Sequence, residues 1–365
     1  MYVSKLQNGR DACAELALRL VGAAAAHGPG NVMLSPASAQ AVLGMLEEGA
    51  RGATRKEIRE VLGNVKPYPL SFEFSDAAAL KESSSLWVNG KTSQMLRRRY
   101  IDEVRKRYGA DVACMPFNEH MVESLNMRVA HDTDGMIAKM LDKVPQGMLL
   151  VLSCLAFSCD WKHPFEAGDV VEGEFHPNPH ASQPCTMLCG DSNAYVQLDG
   201  AVGITKAYAD ERFGFFALLP PKGQGPDEFL AGVRGADLRQ ALDTPCCDKD
   251  VSYQLPQLSL ECGIRLNDAL EALGMREAFT AAADFGGISE APLSVSEVLQ
   301  KTRFELDAHG TRASAASMAD VVCTGAPDFD RLLLIDFDRP FVLGVESTET
   351  HVPLFLGIVR TVSRA

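Results

Sequence analysis

Nothing in this chain is built like a membrane-spanning helix. It has no run of roughly eighteen or more apolar residues, the length a spanning helix needs. Residues 1–15 lack the apolar core of a secretory leader. The expected location is therefore the cytoplasm, or the outside of the cell if a leader has been removed. Basic charge is also short, with 35 Lys and Arg against 48 Asp and Glu and a net charge of −13. That balance argues against nucleic acid as a main partner. The 10 cysteines are spread over 365 residues, whereas a disulfide scaffold is short and cysteine-dense. They read as small buried apolar residues with free thiols. No repeat and no linker-like shift in composition divides the chain. A G-x-S-x-G elbow, an HExxH helix and a P-loop are all missing, so no enzyme and no cofactor are expected.

One stretch invites a metal reading. His176, His180, Cys185 and Cys189 lie at intervals close to those of zinc ligands, but looser than in standard fingers. The reading preferred is two loop histidines and two thiols on a hairpin, with no metal.

What the chain does contain is enough apolar residue, 46%, for a sizeable core. Apolar spacing predicts helices over 11–26, from Ser38 onward, over 97–109 and within 119–141. Thr54 to Glu57 reads as a capping box. The arginines of the 97–109 helix read as a solvated outer face, not a polyanion site. Leu80 to Val88 reads as a strand. The run at 148–157 is almost continuously apolar, as a strand buried on both faces should be. Further strands are expected within 195–219 and at 341–344 and 353–359.

The most unusual stretch is 294–325. It opens as a strand with Val295, Val298, Phe304 and Leu306, and Gly310 is expected to break it. A run of small residues follows that is a poor helix. Read with period two, one face carries Thr311, Ala313, Ala315, Ser317, Ala319 and Val321, all small and uncharged. Arg312, Ser314, Ala316, Met318, Asp320 and Val322 form the other. The segment is patterned to enter a sheet as a buried strand.

This stretch resembles the reactive-centre loop of the serpins, with Glu305, Gly310, Thr311, Ala313, Ala315 and Ala316 in the places of the family hinge. Residues 31–63 resemble the family's N-terminal signature through Asn31, Ser35, Pro36, Ser38, Gly49, Ala50, Gly52 and Thr54. Similar matches at Trp161, Pro164 and Phe165, at 255–275 and in the C-terminal strands extend the resemblance over nearly the whole chain. It implies a mixed α+β serpin fold with three β-sheets and about eight or nine helices. It also implies a single domain, 1–365, with an exposed reactive-centre loop at about 310–331.

The function implied is suicide-substrate inhibition of a protease by a metastable monomer, with no enzyme activity of its own. The family spacing that the resemblance implies, about seventeen positions counted with Ala308 as the first, puts the reactive bond at Thr324–Gly325, with Cys323 as neighbour; the loop must reach the pole. Small residues there suit an elastase-like serine protease or a cysteine protease. The hinge is expected at Gly310, Thr311, Arg312, Ala313, Ser314, Ala315, Ala316 and Ser317. The contacts beneath the sheet opening are expected at Ser35, Ser38, Ser153, Trp161 and Gln300. Ser153 and Gln300 stand where serpins usually have Asn and His, and Arg128 where they usually have Trp. The short 64–79 segment implies no glycosaminoglycan partner. The alternative is a non-inhibitory serpin acting as carrier, chaperone or storage protein, in which the hinge is often bulky or charged.

Overall fold

The structure, a computed structural model, describes residues 2–65, 78–90, 96–311 and 331–362. Eight α-helices and three sheets form among these residues. The central sheet runs β11 (Leu258–Arg265), β12 (Val295–Leu306), β4 (Leu149–Asp160), β2 (Ala78–Asn89) and β3 (Asp111–Met115), and a short β13 (Gly310–Thr311) also pairs with β4. The second sheet runs β1 (Val32–Leu34), β16 (Val352–Val359), β15 (Phe341–Ser347), β9 (Phe213–Leu219), β8 (Ala201–Ala207) and β7 (Val196–Leu198). The third runs β14 (Leu332–Asp336), β10 (Asp250–Pro256), β6 (Ala181–Ser192) and β5 (Val170–Asn178). The helices are α1 (Tyr2–Ala25), α2 (Pro36–Gly49), α3 (Gly52–Val61), α4 (Arg98–Tyr108), α5 (Glu119–Asp132), α6 (Pro226–Gly232), α7 (Gly235–Asp243) and α8 (Asn267–Ala272).

β4 shows why the central sheet is buried on both faces. Its side chains alternate between faces. Leu149 and Val151 enter the largest apolar cluster, and Leu155, Phe157 and Cys159 enter a second, aromatic one. Leu150, Leu152, Cys154 and Ala156 point the other way, into a third cluster under α5. That helix lays Met121, Leu125 and Val129 against the sheet, spaced four apart on one stripe. Its N-cap, Asn118, accepts a 3.0 Å bond from the Met121 N–H.

Several local expectations are corrected. α1 begins at Tyr2, not at residue 11. α2 begins at Pro36 with Ser35 as its cap, not at Ser38; proline at the first helical position is favoured because its missing N–H would be unbonded there anyway. α5 ends at Asp132, short of Leu141, and Thr133 forms its C-cap. The capping box is also absent. Arg51 caps α3 without a side-chain bond. Thr54 Oγ1 instead donates to Glu277 at 2.7 Å and accepts from the Asp284 N–H at 3.0 Å. Glu57 accepts from the N–H groups of Arg276 and Glu277. Both residues tie α3 to the 276–284 segment. Arg128 sits on the surface of α5, paired with Asp111 and Asp132.

Candidate functional site: the fork between β4 and β12

β4 and β12 lie side by side and parallel from Val295 opposite Leu149 to Arg303 opposite Ala156. Beyond that point β12 runs on to Leu306 and β4 to Asp160 without pairing to each other. The chain turns back into this fork. Asp307 makes the turn, its Oδ1 accepting from the N–H of His309 at 2.7 Å and of Gly310 at 3.1 Å. This is the local aspartate bond that stabilises tight turns. β13 then lies antiparallel to β4, with Gly310 opposite Asp160 and Thr311 opposite Cys159. Gly310 is therefore not the break, as its residue type suggested; the break is Asp307 to His309, and Gly310 is already in a strand. Glycine is required there for a different reason. A Cβ would lie 2.3 Å from the Cys159 carbonyl oxygen and 2.7 Å from the Asp160 Cα.

Trp161 closes the fork. Its indole Nε1 donates to the Asp307 carbonyl at 3.0 Å, and its backbone N–H to that of His309 at 2.8 Å. The indole stacks on Tyr208, with ring centres 4.6 Å apart and planes 10° from parallel. The Tyr208 hydroxyl and the Thr311 Oγ1 are 2.6 Å apart, and both residues are fully buried. Burial drives the Tyr208 pKa far upward, so this contact is made by a neutral phenol. Lys206 holds its ammonium 4.3 Å from the Phe165 ring centre and 5.5 Å from that of Trp161, a cation–π arrangement. Burial lowers its pKa to about 8, with Asp169 acting in the opposite direction. Tyr208 and Lys206 were not singled out from the sequence, since their roles depend on partners far away in the chain, Thr311 for Tyr208 and Trp161 and Phe165 for Lys206.

Lower down, Gln300 bridges the strands to α2. Its Oε1 accepts from the Ser35 N–H at 2.8 Å, and its Nε2 donates to the Ser35 carbonyl at 2.9 Å and the Ser153 hydroxyl at 3.1 Å. All three residues are buried. Ser38 is expected in this network but does not join it through its side chain. Its N–H donates to the Ser35 Oγ at 3.1 Å, and its own Oγ has no partner among the described residues. Ser84 stands opposite Ser153 on β2 and donates to Glu82 at 2.9 Å. Burial lifts the Glu82 carboxyl to about 7, and the Ser84 bond works in the opposite direction. Glu82 too was not expected; a glutamate in a strand carries no local mark of burial.

Arg312, Ala313, Ser314, Ala315, Ala316, Ser317, Cys323, Thr324 and Gly325 lie outside the described residues. His176 and Cys185 lie on β5 and β6. Cys185 packs in the aromatic cluster, and burial pushes its thiol pKa up. Among the described residues no group of three or more His, Cys, Asp or Glu side chains could hold a metal. No two of the described cysteines are joined in a disulfide.

The family model for Serpin (serine protease inhibitor) matches residues 11–362. The chain is a serpin. It is 27% identical over 345 residues to an uncharacterized serpin-like protein of Thermococcus kodakarensis, covering 90% of this chain and 80% of that one. It is 26% identical over 350 residues to corticosteroid-binding globulin of Oryctolagus cuniculus, covering 90% and 89%. The thermophilic serpin tengpin in its native state matches with a TM-score of 0.90 at 26% identity, over 97% of this chain and 94% of that one. Tengpin in its latent state matches with 0.82 at 24% identity, over 98% of each. The mixed α+β serpin fold with three sheets is thus established. Membership of the family gives this serpin a protease as its general class of partner. No helix among the described residues is long and apolar enough to cross a membrane.

Proposed function

We propose that residues 1–365 act as one inhibitory serpin unit, a monomer whose loop at about 310–331 is offered as bait to an elastase-like serine protease. A cysteine protease with a similarly broad pocket is a second target for the same bait. The protease nucleophile attacks the Thr324 carbonyl, the Thr324–Gly325 bond breaks, and Gly325 leaves with a new amino terminus. The acyl group stays on the enzyme as an ester, or as a thioester on a cysteine. The rest of the hinge, Arg312 to Ser317, then follows Gly310 and Thr311 into the fork as a new strand and carries the protease with it. New strand hydrogen bonds and buried apolar surface drive the movement. The starting fold is accordingly a kinetically trapped one.

The observation that carries this reading is the placement of Thr311. It is buried and antiparallel on β4 at the mouth of a fork whose two strands are still paired lower down. A loop started at that point has a path to follow. The residues that continue it are small and uncharged on alternate positions.

Incubation with pancreatic or neutrophil elastase tests the proposal. The expected outcome is a complex that survives SDS, and a released peptide beginning at Gly325 by mass spectrometry. Clean cleavage with no complex would favour the second reading, a carrier, which the likeness to corticosteroid-binding globulin supports. A peptide starting beyond Asp328 or before Val321 would move the reactive bond.

A further inference from the structure

Helices ordinarily begin with Ser, Asp or Asn, and with acidic residues in the first turn. These satisfy free N–H groups and complement the positive end of the helix dipole. α3 and α4 both break that rule, and in the same way. The N-cap of α3 is Arg51 and that of α4 is Arg97; neither side chain caps its helix with a hydrogen bond, and neither helix has an acid in its first turn. Arg98 and Arg99 follow as the first two residues of α4. Both arginine-capped ends open on one cavity of about 730 Å³, lined by Arg51, Arg55, Arg97, Arg98 and Arg99.

The concentration is unusual for a chain of net charge −13. Arg55 is engaged by Glu47, and Arg97 by the Gly286 carbonyl at 2.7 Å and by Glu290 at 3.7 Å. Arg51, Arg98 and Arg99 make no side-chain hydrogen bond or ion pair among the described residues, and all three are exposed. Glu48 and Glu103 also line the cavity, and Glu48 is already paired with Arg107. Cations gathered at two positive helix ends repel one another unless an anion lies between them.

We infer that this cavity is a binding site for a compact oligophosphate group. Guanidinium groups bind phosphate oxygens through paired, charge-assisted N–H bonds. The volume falls within the roughly 300–1,000 Å³ of small-molecule sites, ample for more than one phosphate. Glu103 and Glu290 on the wall disfavour a long polyanion laid across the mouth and favour a short one held inside. The solvated-surface reading of these arginines from sequence followed from their place on α4 alone. Arg51 and Arg55 come from a different helix, and only the fold brings the two groups together.

Calorimetric titration of the full chain with pyrophosphate and with tripolyphosphate tests the assignment, and it does not depend on protease inhibition. Tripolyphosphate should bind saturably at a single site and raise the melting temperature, and the affinity should fall as salt is added. Arg98→Ala with Arg99→Ala, both at exposed positions, should weaken binding by roughly tenfold or more. Arg51→Ala should weaken it from the opposite wall, while Arg265→Ala, outside the cavity, should not. ATP binding as tightly as tripolyphosphate assigns the bare phosphate chain, and tighter ATP binding assigns a nucleotide ester. The inference is overturned by an absence of saturable binding at millimolar tripolyphosphate. It is equally overturned by unchanged affinity in the Arg98/Arg99 variant, or by a long sulfated polysaccharide binding more tightly than tripolyphosphate.

Discussion

Tyr208 and Thr311 share a buried hydrogen bond of 2.6 Å. Tyr208 lies just past the end of β8 in the second sheet, and Thr311 is the last described residue before the loop. The bond therefore ties the start of the hinge, already paired with β4 in the central sheet, to the second sheet as well.

Tyr208→Phe should loosen that tie. It keeps the ring that stacks on Trp161 and removes only the hydroxyl, leaving the Thr311 Oγ1 buried without its partner. The cost expected is about 1–3 kcal/mol. The measurement is the melting temperature, together with the rate at which a protease of unrelated specificity nicks the loop. Slower nicking than in the parent would count against a hinge-restraining role.

Thr311→Arg should separate cleavage from inhibition. The site is fully buried beside Tyr208 and Cys159, so an unpaired guanidinium there is strongly disfavoured. Slower insertion gives the ester time to hydrolyse. The protease should still cut the loop while the SDS-stable complex disappears. Ser314→Arg, on the opposite face of the period-two pattern, should keep most inhibition. Moles of serpin consumed per mole of protease inactivated separates the two, and equal values for both variants would refute the two-face reading.

Gln300→Ala should make the fork easier to open. The substitution strips partners from the backbone of Ser35 and from the Ser153 hydroxyl, and each buried group left unpaired costs about 1–3 kcal/mol. Faster loss of inhibitory activity on mild heating, with the inactive or polymeric form accumulating, is the expected result. Retention of activity equal to the parent's would show that the amide is dispensable.

Glu82 gives a pH dependence with a definite sign. Its folded pKa, about 7, lies above the ordinary 4.5 because burial disfavours the carboxylate. The folded state therefore holds a proton that the unfolded chain has released, and stability falls as pH rises from about 4.5 to 7 before levelling off. Glu82→Gln should remove that decline, leaving the variant more stable than the parent at pH 8 by about 1–3 kcal/mol. Paired thermal scans at pH 5 and pH 8, at one scan rate, provide the measurement. A parent–variant difference that does not change between the two pH values would exclude Glu82 as the cause.

Much of the scaffold was legible in the chain because its signals are local. The run at 148–157 is apolar at nearly every position, and only a strand covered on both faces explains that. The hinge reading is local too, a period-two pattern of small residues, and only Gly310 and Thr311 of it fall among the described residues. What failed was settled at long range. Thr54 and Glu57 have the spacing of a capping box, but they bond to residues more than two hundred positions away. Gly310 was taken as a break because glycine usually is one, whereas the fold uses it for close approach of two backbones. Tyr208, Lys206 and Glu82 look ordinary in the sequence until the fold surrounds them with aromatic rings, a hinge hydroxyl and a largely buried sheet face.

The pairing of β13 with β4 also works as a ruler. Gly310 meets Asp160 and Thr311 meets Cys159, and each further loop residue entering in that register would meet the preceding residue of β4. Ala313 then falls opposite Phe157, Ser317 opposite Ser153, and Val321 opposite Leu149, where β4 begins. Ala313, Ala315, Ala319 and Val321 would land beside β4 side chains of the inner clusters, and Ser314, Ala316, Met318 and Asp320 beside those under α5. The template is used up at Val321. Only Val322 and Cys323 remain before Thr324, a short tether between the end of the proposed inserting strand and whatever is attached to it.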